Sequence, residues 1–206
     1  MAESGSAARD YWEQRFSAPG YLFGTEPNAF LKSQAHRLRP GMTALALADG
    51  EGRNGVWLAH QGLDVLSLDF SPAALAKARA LAAEKGVTLR IEQADVTAWA
   101  WPERAYDVIA AIFIQAIGSP QREKLFADIK RALKPGGLLL MQGYRPEQLA
   151  YGTGGPRDLA LLYTRALLED AFGDLEILQL REHDDVINEG SGHGGMSALI
   201  DLVARK

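Results

Sequence analysis

The residues of this sequence that could bind a ligand or do chemistry lie mainly after short apolar runs. The stretch LALADGEGRNGVWL, residues 45–58, begins as an apolar run, passes through Gly50 and Gly52, and continues with the pattern of a helix. A strand that leads through glycines into a helix brings backbone N–H groups close to a ligand. The next apolar run ends in Asp69, 17 residues past Gly52. Strand, glycine turn, helix, strand and terminal acid together predict the nucleoside-binding half-unit of a doubly wound α/β protein.

A second acid follows the third predicted strand. Asp95 lies in the run QADV, where its carboxylate or the N–H of Val96 could meet an adenine edge. Asp69, at the end of its own strand, could accept hydrogen bonds from both ribose hydroxyls. Each acid also has a structural interpretation, Asp69 as an acid at a helix N-terminus and Asp95 as the cap of the turn before Trp99. We favour a ligand site, because ligands bind at the carboxyl ends of strands in such sheets.

A parallel sheet would bring these residues together, and the alternation of apolar and amphipathic runs predicts one. Strands are predicted at residues 43–47, 64–68, 88–92, 106–112 and 137–142, and helices at 53–61, 72–85, 120–133 and 158–171. Two further apolar runs, 175–180 and 196–204, are separated by HDDVINEGSGHGG, which we interpret as a loop. Strands joined without a crossover helix are normally antiparallel. We therefore predict an α/β fold: a doubly wound, mostly parallel seven-stranded sheet with an antiparallel last strand and helices on both faces.

The first 40 residues do not follow this alternation. The run DYWEQRF has helical spacing, residues 28–37 could form a second helix, and a turn-rich loop separates the two. We predict one domain over residues 1–206, with a helical lid segment at 1–40 and an α/β core at 41–206. The aromatic side chains of the segment, Trp12 and Phe23 among them, could close over a ligand or pack on the sheet.

Composition argues against several classes of function. The chain has 206 residues, a net charge of −4 and no cysteine, which leaves no disulfide, thiolate zinc site or cysteine nucleophile. We expect no metal site. Lys and Arg form no block that would favour nucleic acid as a partner, and no apolar run approaches the roughly 18 residues of a membrane span. The first residues lack the apolar region of a signal peptide. We expect a cytoplasmic protein, with monomer and homodimer both open.

Several motifs resemble those of one known family. The runs LADGEGRNGVWLA, LSLDFSPAALAKA, LKPGG and EGSGHGG are similar to motifs of class I S-adenosylmethionine-dependent methyltransferases. Within that family, GEGRN, GTEPN and YWEQRF resemble the small bacterial branch of tellurite-resistance and thiopurine methyltransferases. The resemblance extends over about residues 10–204. It implies S-adenosylmethionine as the cofactor and a small-molecule methyl acceptor, with thiols or chalcogen species as the acceptors that the branch suggests.

The resemblance also implies roles for individual residues. Gly50 and Gly52 would let the backbone approach the methionine part of the cofactor, whose ammonium group would meet Asp49 or Glu51. Two positions depart from the family pattern, because Ala48 stands where an acid is usual and Gln115 where His is frequent. Phe70 would pack on adenine, and Phe113 would lie close to the sulfonium. The expected cofactor-binding residues are Asp49, Gly50, Glu51, Gly52, Arg53, Asn54, Asp69, Phe70, Ser71, Asp95, Val96, Phe113, Trp12 and Phe23.

The demands of methyl transfer suggest two catalytic candidates. Transfer from a sulfonium needs alignment of nucleophile, methyl and sulfur, and a soft nucleophile needs little more. A hydroxyl or amine acceptor could need a base. We identify His193 and Glu189 as the candidates, since a loop before the last strand would hold them over the methyl group; a glycine-rich hairpin without function is the alternative. Two other functions stay open, a non-catalytic S-adenosylmethionine-binding protein and a nicotinamide-dependent oxidoreductase.

Overall fold

A sheet of seven strands forms the centre of the fold, in the order β3-β2-β1-β4-β5-β7-β6. The computed structural model describes the backbone of residues 3–206 and the side chains of residues 9–206. β7 runs antiparallel to both of its neighbours, whereas the adjacent pairs among β1 to β5 are parallel. The predicted fold class is therefore confirmed. The strands are β1 (Thr43–Leu47), β2 (Asp64–Asp69), β3 (Arg90–Gln93), β4 (Tyr106–Ile112), β5 (Leu133–Tyr144), β6 (Glu176–Glu189) and β7 (His193–Arg205).

Helices cover both faces of this sheet. Along β1, Leu45 and Leu47 point into a core shared with α5 and α7, whereas Ala44 and Ala46 point into a core shared with α2 and α3. This period of two is expected of a strand that is buried on both faces. No helix in the described part of the chain combines the length and apolar character needed to cross a membrane. The helices are α1 (Glu3–Ser17), α2 (Ala29–Ser33), α3 (Arg53–His60), α4 (Pro72–Glu84), α5 (Gln121–Ala132), α6 (Gln148–Tyr151) and α7 (Arg165–Phe172).

Two predicted helices are shorter than the sequence pattern suggests. The prediction for residues 28–37 resolves into α2 and a separate 3₁₀ turn at Ala35–Arg37. The prediction for residues 158–171 resolves into a 3₁₀ turn at Leu159–Leu161 and α7. Between these two, Tyr163 is buried and its N–H donates to the carbonyl of Tyr144 at the end of β5 (2.9 Å). This tertiary contact holds the chain extended, so that α7 begins only after the cap at Thr164, whose hydroxyl accepts from Leu167 (3.1 Å).

The prediction of a loop at residues 183–195 is wrong. β6 continues to Glu189, β7 begins at His193, and these two residues face each other in the ladder, so only residues 190–192 form a turn. Gly190 closes that turn with a φ of +66°, which suits glycine. We call residues 183–195 the hairpin arm. Its polar residues weaken the hydrophobic alternation that identifies strands, while backbone hydrogen bonds hold the hairpin together regardless of that pattern.

Candidate functional site

A cavity of about 630 Å³ lies at the carboxyl ends of β1, β2 and β4, against the N-terminal segment, which we define as residues 9–28. Clefts of this size and position hold small ligands in α/β proteins. Four of the predicted site residues, Glu51, Gly52, Ser71 and Glu189, are not part of its wall. The others line it: Trp12, Phe23, Asp49, Gly50, Arg53, Asn54, Asp69, Phe70, Asp95, Val96, Phe113 and His193.

The glycine turn after β1 is shaped by close packing. Ala48, Gly50 and Gly52 all have positive φ angles, of 47°, 57° and 88°. A Cβ on Gly52 would lie 2.6 Å from the Cβ of Ala78, so only glycine lets the turn pack against α4. Gly52 therefore supports the turn from behind, whereas Gly50 faces the cavity. The chain enters α3 at Arg53 directly after the turn, which places the positive end of that helix beside the cavity.

Asp49 has one carboxylate oxygen in use and one without a partner. Its Oδ2 accepts hydrogen bonds from the N–H of Gly55 (3.0 Å) and the hydroxyl of Ser67 (2.9 Å). Its Oδ1 is buried and has no hydrogen-bond partner within the described residues. Burial raises the pKa of Asp49 to about 7, and the two hydrogen bonds offset only part of this effect. A buried acceptor without a partner is unfavourable, and the cationic group of a ligand would satisfy it.

Asp69 joins the glycine turn to the next strand. Its Oδ2 accepts from the N–H of Gly50 (2.8 Å) and its Oδ1 from the N–H of Ser71 (2.9 Å). Burial raises its pKa. Each oxygen keeps a lone pair for a ligand hydroxyl. Ser71 itself faces away from the cavity, because its hydroxyl caps α4 by accepting from Ala74 (3.1 Å) and donates to Glu13 of α1.

Asp95 lies further along the same edge of the sheet. Its Oδ1 accepts from the N–H (2.9 Å) and the hydroxyl (2.7 Å) of Thr97, and its Oδ2 pairs with Arg9 of α1. Partial burial raises the pKa of Asp95, but these hydrogen bonds and the guanidinium outweigh burial and hold the pKa below its usual range. The carboxylate thus serves both as the cap of its own turn and as an attachment point for α1.

Glu51 attaches the N-terminal segment to the core. Its carboxylate accepts from the N–H of Leu22 (2.7 Å) and pairs with Lys77 of α4 (2.8 Å). The ammonium of Lys77 also donates to the carbonyls of Ala18 (2.7 Å) and Gly20 (2.6 Å). Of the two acids expected near the methionine ammonium, Asp49 therefore faces the cavity and Glu51 turns towards the segment that covers it.

Loss of the Lys77 ammonium should loosen that segment. We expect Lys77→Met to lower the free energy of unfolding by about 2 kcal/mol, less than for a fully buried pair because Lys77 is partly exposed. Amide hydrogen exchange of residues 18–24 should become faster, because two carbonyls lose their shared donor. Lys85→Met is the control, since that ammonium pairs with the exposed Glu84. Equal exchange of residues 18–24 in both variants would contradict the anchoring role.

Arg53, Glu189 and His193 form a buried charged cluster beside the cavity. The Nη2 of Arg53 donates to the Oε2 of Glu189 (2.6 Å), and the Nδ1 of His193 lies 3.7 Å from the same oxygen, beyond hydrogen-bond range. Burial raises the pKa of Glu189, but the hydrogen bond and the charge of the Arg53 guanidinium outweigh burial and hold the pKa well below its usual range. Burial and the Arg53 charge lower the pKa of His193. At neutral pH, Glu189 is therefore ionised and His193 is neutral.

Aromatic side chains surround His193. Its ring centroid lies 4.3 Å from that of Phe23 and 4.5 Å from that of Phe113, and Phe113 stacks on Tyr144 at 4.7 Å. Phe113 has a φ of +54°, an unusual conformation for a bulky residue and one that is frequent at functional sites. Gln115 has a structural role, because its amide binds both backbone groups of Tyr144 (2.9 and 2.6 Å).

Sequence reasoning missed several residues of the cavity. Arg9 reaches Asp95 across 86 positions of the chain, and no local signal indicates such a pairing. Ile117 precedes the predicted helix at 120–133 and Leu161 lies in the first turn of the predicted helix at 158–171, so the sequence pattern marks neither as a site residue. Thr97 could have been found, because Asp followed two residues later by Thr is typical of a side-chain-capped turn.

Part of the chain is similar to known methyltransferases. Residues 44–137 match the family profile described as methyltransferase domain. The chain is 33% identical over 104 residues to a demethylmenaquinone methyltransferase of Thermus thermophilus, covering 50% of this chain and 47% of that protein. It is 31% identical over 137 residues to a glycine/sarcosine N-methyltransferase of Halorhodospira halochloris, covering 63% of this chain and 47% of that protein.

The structural comparison covers almost the whole chain. TehB from Haemophilus influenzae superimposes with a TM-score of 0.71 at 18% identity, covering 97% of this chain and 67% of that chain. By contrast, this chain spans from about a third to about half the length of the first curated relatives that it matches, with shares of 36%, 39% and 47%. The expected resemblance to methyltransferases is confirmed by the profile match over residues 44–137, and the fold is shared with TehB.

Proposed function

We propose that this protein binds S-adenosylmethionine and transfers its methyl group to a small-molecule acceptor. The observation that carries the proposal is the buried Oδ1 of Asp49, which has no partner among the described residues and lies in the wall of a cavity at the glycine turn. An S-adenosylmethionine ammonium group is the complement of such an oxygen, being cationic and a donor of hydrogen bonds.

The remaining wall suits the other parts of this cofactor. Asp69 would accept from the ribose hydroxyls, and Phe70 and Val96 would contact the adenine. The Nη1 of Arg53 is buried without a partner within the described residues, and it would donate to the methionine carboxylate. Asn54 lines the same part of the cavity. The Oδ1 of Asp49 would thus bind the ammonium group of the methionine moiety, and the Nη1 of Arg53 would bind its carboxylate.

The chain's own contribution to the reaction is alignment and the exclusion of water. S-adenosylmethionine supplies an activated methyl group, and the acceptor's lone pair forms the new bond to carbon as the carbon–sulfur bond breaks and its electron pair passes to sulfur. Phe113 and Phe23 would hold the acceptor in line, because their rings bracket His193 at the cavity wall. Trp12 and Phe16 would keep water out.

We propose that the acceptor is a soft nucleophile, a thiol or a chalcogen species. The apolar rings around His193 suit polarizable atoms, and neutral His193 can accept the proton of a thiol as the new bond forms. Glu189 would then stabilise the resulting imidazolium, since its ionised carboxylate lies 3.7 Å from Nδ1.

Calorimetry with S-adenosylmethionine, S-adenosylhomocysteine and NAD tests the cofactor. We expect both sulfur nucleosides to bind and NAD not to bind. Binding of NAD alone would support the oxidoreductase alternative and refute the proposal. A screen of thiol, selenide, tellurite, amine and hydroxyl acceptors then tests the reaction, and absence of turnover with every acceptor would favour a non-catalytic binding protein.

The role of His193 is tested by replacement. With a thiol acceptor we expect His193→Ala to lower kcat about 100-fold, because a general base contributes on the order of that factor. Wild-type turnover should fall as the pH drops through the lowered pKa of His193, and this acid limb should disappear in the variant. His60→Ala is the control, an exposed histidine on α3. If kcat and its pH profile are unchanged in His193→Ala, the residue has no catalytic role.

A further inference from the structure

A chain of buried side-chain hydrogen bonds crosses three strands and ends at the cavity. It begins at Asp201 of β7, whose Oδ1 accepts from the Nε2 of Gln142 on β5 (2.7 Å). The Oε1 of Gln142 accepts from the Nδ2 of Asn28 (2.7 Å), and the same Nδ2 donates to the Oε1 of Glu189 (3.0 Å). Asn28, Gln142 and Asp201 are at most 3% exposed. None of these three lines the cavity.

The direction of this chain follows from the chemistry of its ends. A carboxylate only accepts hydrogen bonds, so Gln142 must turn its NH₂ towards Asp201 and its carbonyl oxygen towards Asn28. Asn28 must then turn its own NH₂ towards Gln142 and Glu189. Its Oδ1 is left to face the N–H of Leu31, from which it accepts (3.0 Å) as the cap of α2. Asp201 thus sets the orientation of Gln142, whereas Gln142, Glu189 and the N–H of Leu31 together set that of Asn28.

Asn28 connects this chain of hydrogen bonds to residues of the candidate site. Its backbone N–H donates to the Oδ1 of Asn54 (3.0 Å), a residue of the cavity wall. Its side chain holds Glu189, which in turn holds the guanidinium of Arg53 (2.6 Å). The far end of the chain is closed by His183 of β6, whose Nε2 lies 2.9 Å from the second oxygen of Asp201.

We infer that Asp201 is a positioning residue for the cofactor, acting through Gln142 and Asn28 on Asn54, Glu189 and Arg53. The expected effect on binding of the methionine moiety rests on the proposed function. The orientation of Asn28, by contrast, can be tested in the ligand-free protein. A flipped Gln142 would present its NH₂ to the NH₂ of Asn28, and this repulsion would weaken the bonds of Asn28 to the N–H of Leu31 and to Glu189.

The test compares two replacements at one position. Asp201→Asn can keep a carbonyl oxygen towards Gln142, whereas Asp201→Leu removes the acceptor. Asp128→Leu is the matched control, because Asp128 is an equally buried acid on α5 that pairs with Lys124 and Arg131. If Asp201→Leu does not fold, Gln142→Leu interrupts the same chain one residue nearer the site.

Two readouts separate this inference from the proposed function. In ligand-free protein, amide exchange at Ala29 and Leu31 should be at least about threefold faster in Asp201→Leu, and unchanged in Asp201→Asn and Asp128→Leu. The affinity for S-adenosylhomocysteine should fall roughly tenfold in Asp201→Leu only, the effect of one hydrogen bond to a charged group.

Wild-type exchange rates at these two amides in Asp201→Leu would overturn the inference, as would equal effects of the Asn and Leu replacements. Faster exchange in Asp128→Leu would attribute the effect to general loss of stability and would overturn it too. Failure of the wild-type protein to bind S-adenosylhomocysteine would instead refute the proposed function, and the exchange data would still decide whether Asp201 orients Asn28.

Discussion

Asp49→Asn should weaken the binding of S-adenosylhomocysteine roughly 100-fold, the effect expected when one partner of a buried charge pair is truncated. The single carbonyl oxygen of the amide must face Gly55 and Ser67, so that its NH₂ group points at the ligand's ammonium. Calorimetry measures the change. Asp107→Asn is the control, because Asp107 lies near the N-terminal end of β4, away from the cavity, and pairs with Lys134. An Asp49→Asn affinity within threefold of wild type (about 0.7 kcal/mol) would remove Asp49 from the site.

The same carboxyl should make binding pH-dependent. With a pKa of about 7, Asp49 is mostly protonated at pH 5.5, and affinity should rise roughly twentyfold by pH 7.5 if only the ionised form binds. The dependence should be absent in Asp49→Asn. In ligand-free protein the raised pKa of Asp49 has the opposite effect on the free energy of unfolding, which falls as the pH rises. It contributes stability that is fully present below the unfolded value and is lost as the pH rises through about 7.

Gly190→Ala should detach the hairpin arm from the N-terminal segment. An added Cβ would lie 2.5 Å from the N of Gly24 and 2.5 Å from the O of Leu22, and backbone atoms cannot rotate away. We expect a loss of about 3 kcal/mol in the free energy of unfolding, from a strained positive φ combined with overpacking. Affinity for S-adenosylhomocysteine should fall about tenfold, because Glu189 precedes the turn and holds Arg53.

Gly86→Ala separates the cost of a positive φ from the cost of overpacking. Gly86 has the same φ of +66°, but an added Cβ would meet nothing within 4 Å. We expect only the cost of the backbone conformation, about 1 kcal/mol, and unchanged affinity. Denaturant unfolding and calorimetry on both variants measure the difference. Equal losses of stability in the two variants would mean that the arm and the segment are not in tight contact.

Local patterns of the sequence predict the fold well, and they also predict which acids lie at the cavity edge of the sheet. The buried strands β1, β2 and β4 are predominantly apolar, and Ser71 followed by Pro72 is a strong helix start. Because parallel strands end at one edge, Asp49, Asp69 and Asp95 are brought to one cavity as expected. Gly55 also has a local explanation, since a Cβ there would lie 2.5 Å from the Oδ2 of Asp49.

Contacts between distant segments account for what the sequence did not predict. Glu51 has the same local context as Asp49, and only the position of Leu22 and Lys77 turns it away from the cavity. The hairpin arm lacks hydrophobic alternation, so its strands are visible only in the ladder that pairs Glu189 with His193. Side-chain direction and cross-strand pairing depend on contacts between segments that are distant in sequence, and a single sequence carries little information on either.

The position of β7 between β5 and β6 has a consequence for the order of folding. β5 has no neighbour on one side until β7 is in place, and the edge strand β6 joins the sheet only through β7. Arg53 and Glu189 are 136 residues apart and Asn28 and Glu189 161, so their contacts require the closure of very long loops. We therefore expect the charged cluster to form late, when the sheet is complete. A ligand that needs this cluster selects the fully assembled fold, and its binding energy stabilises the whole sheet against global unfolding.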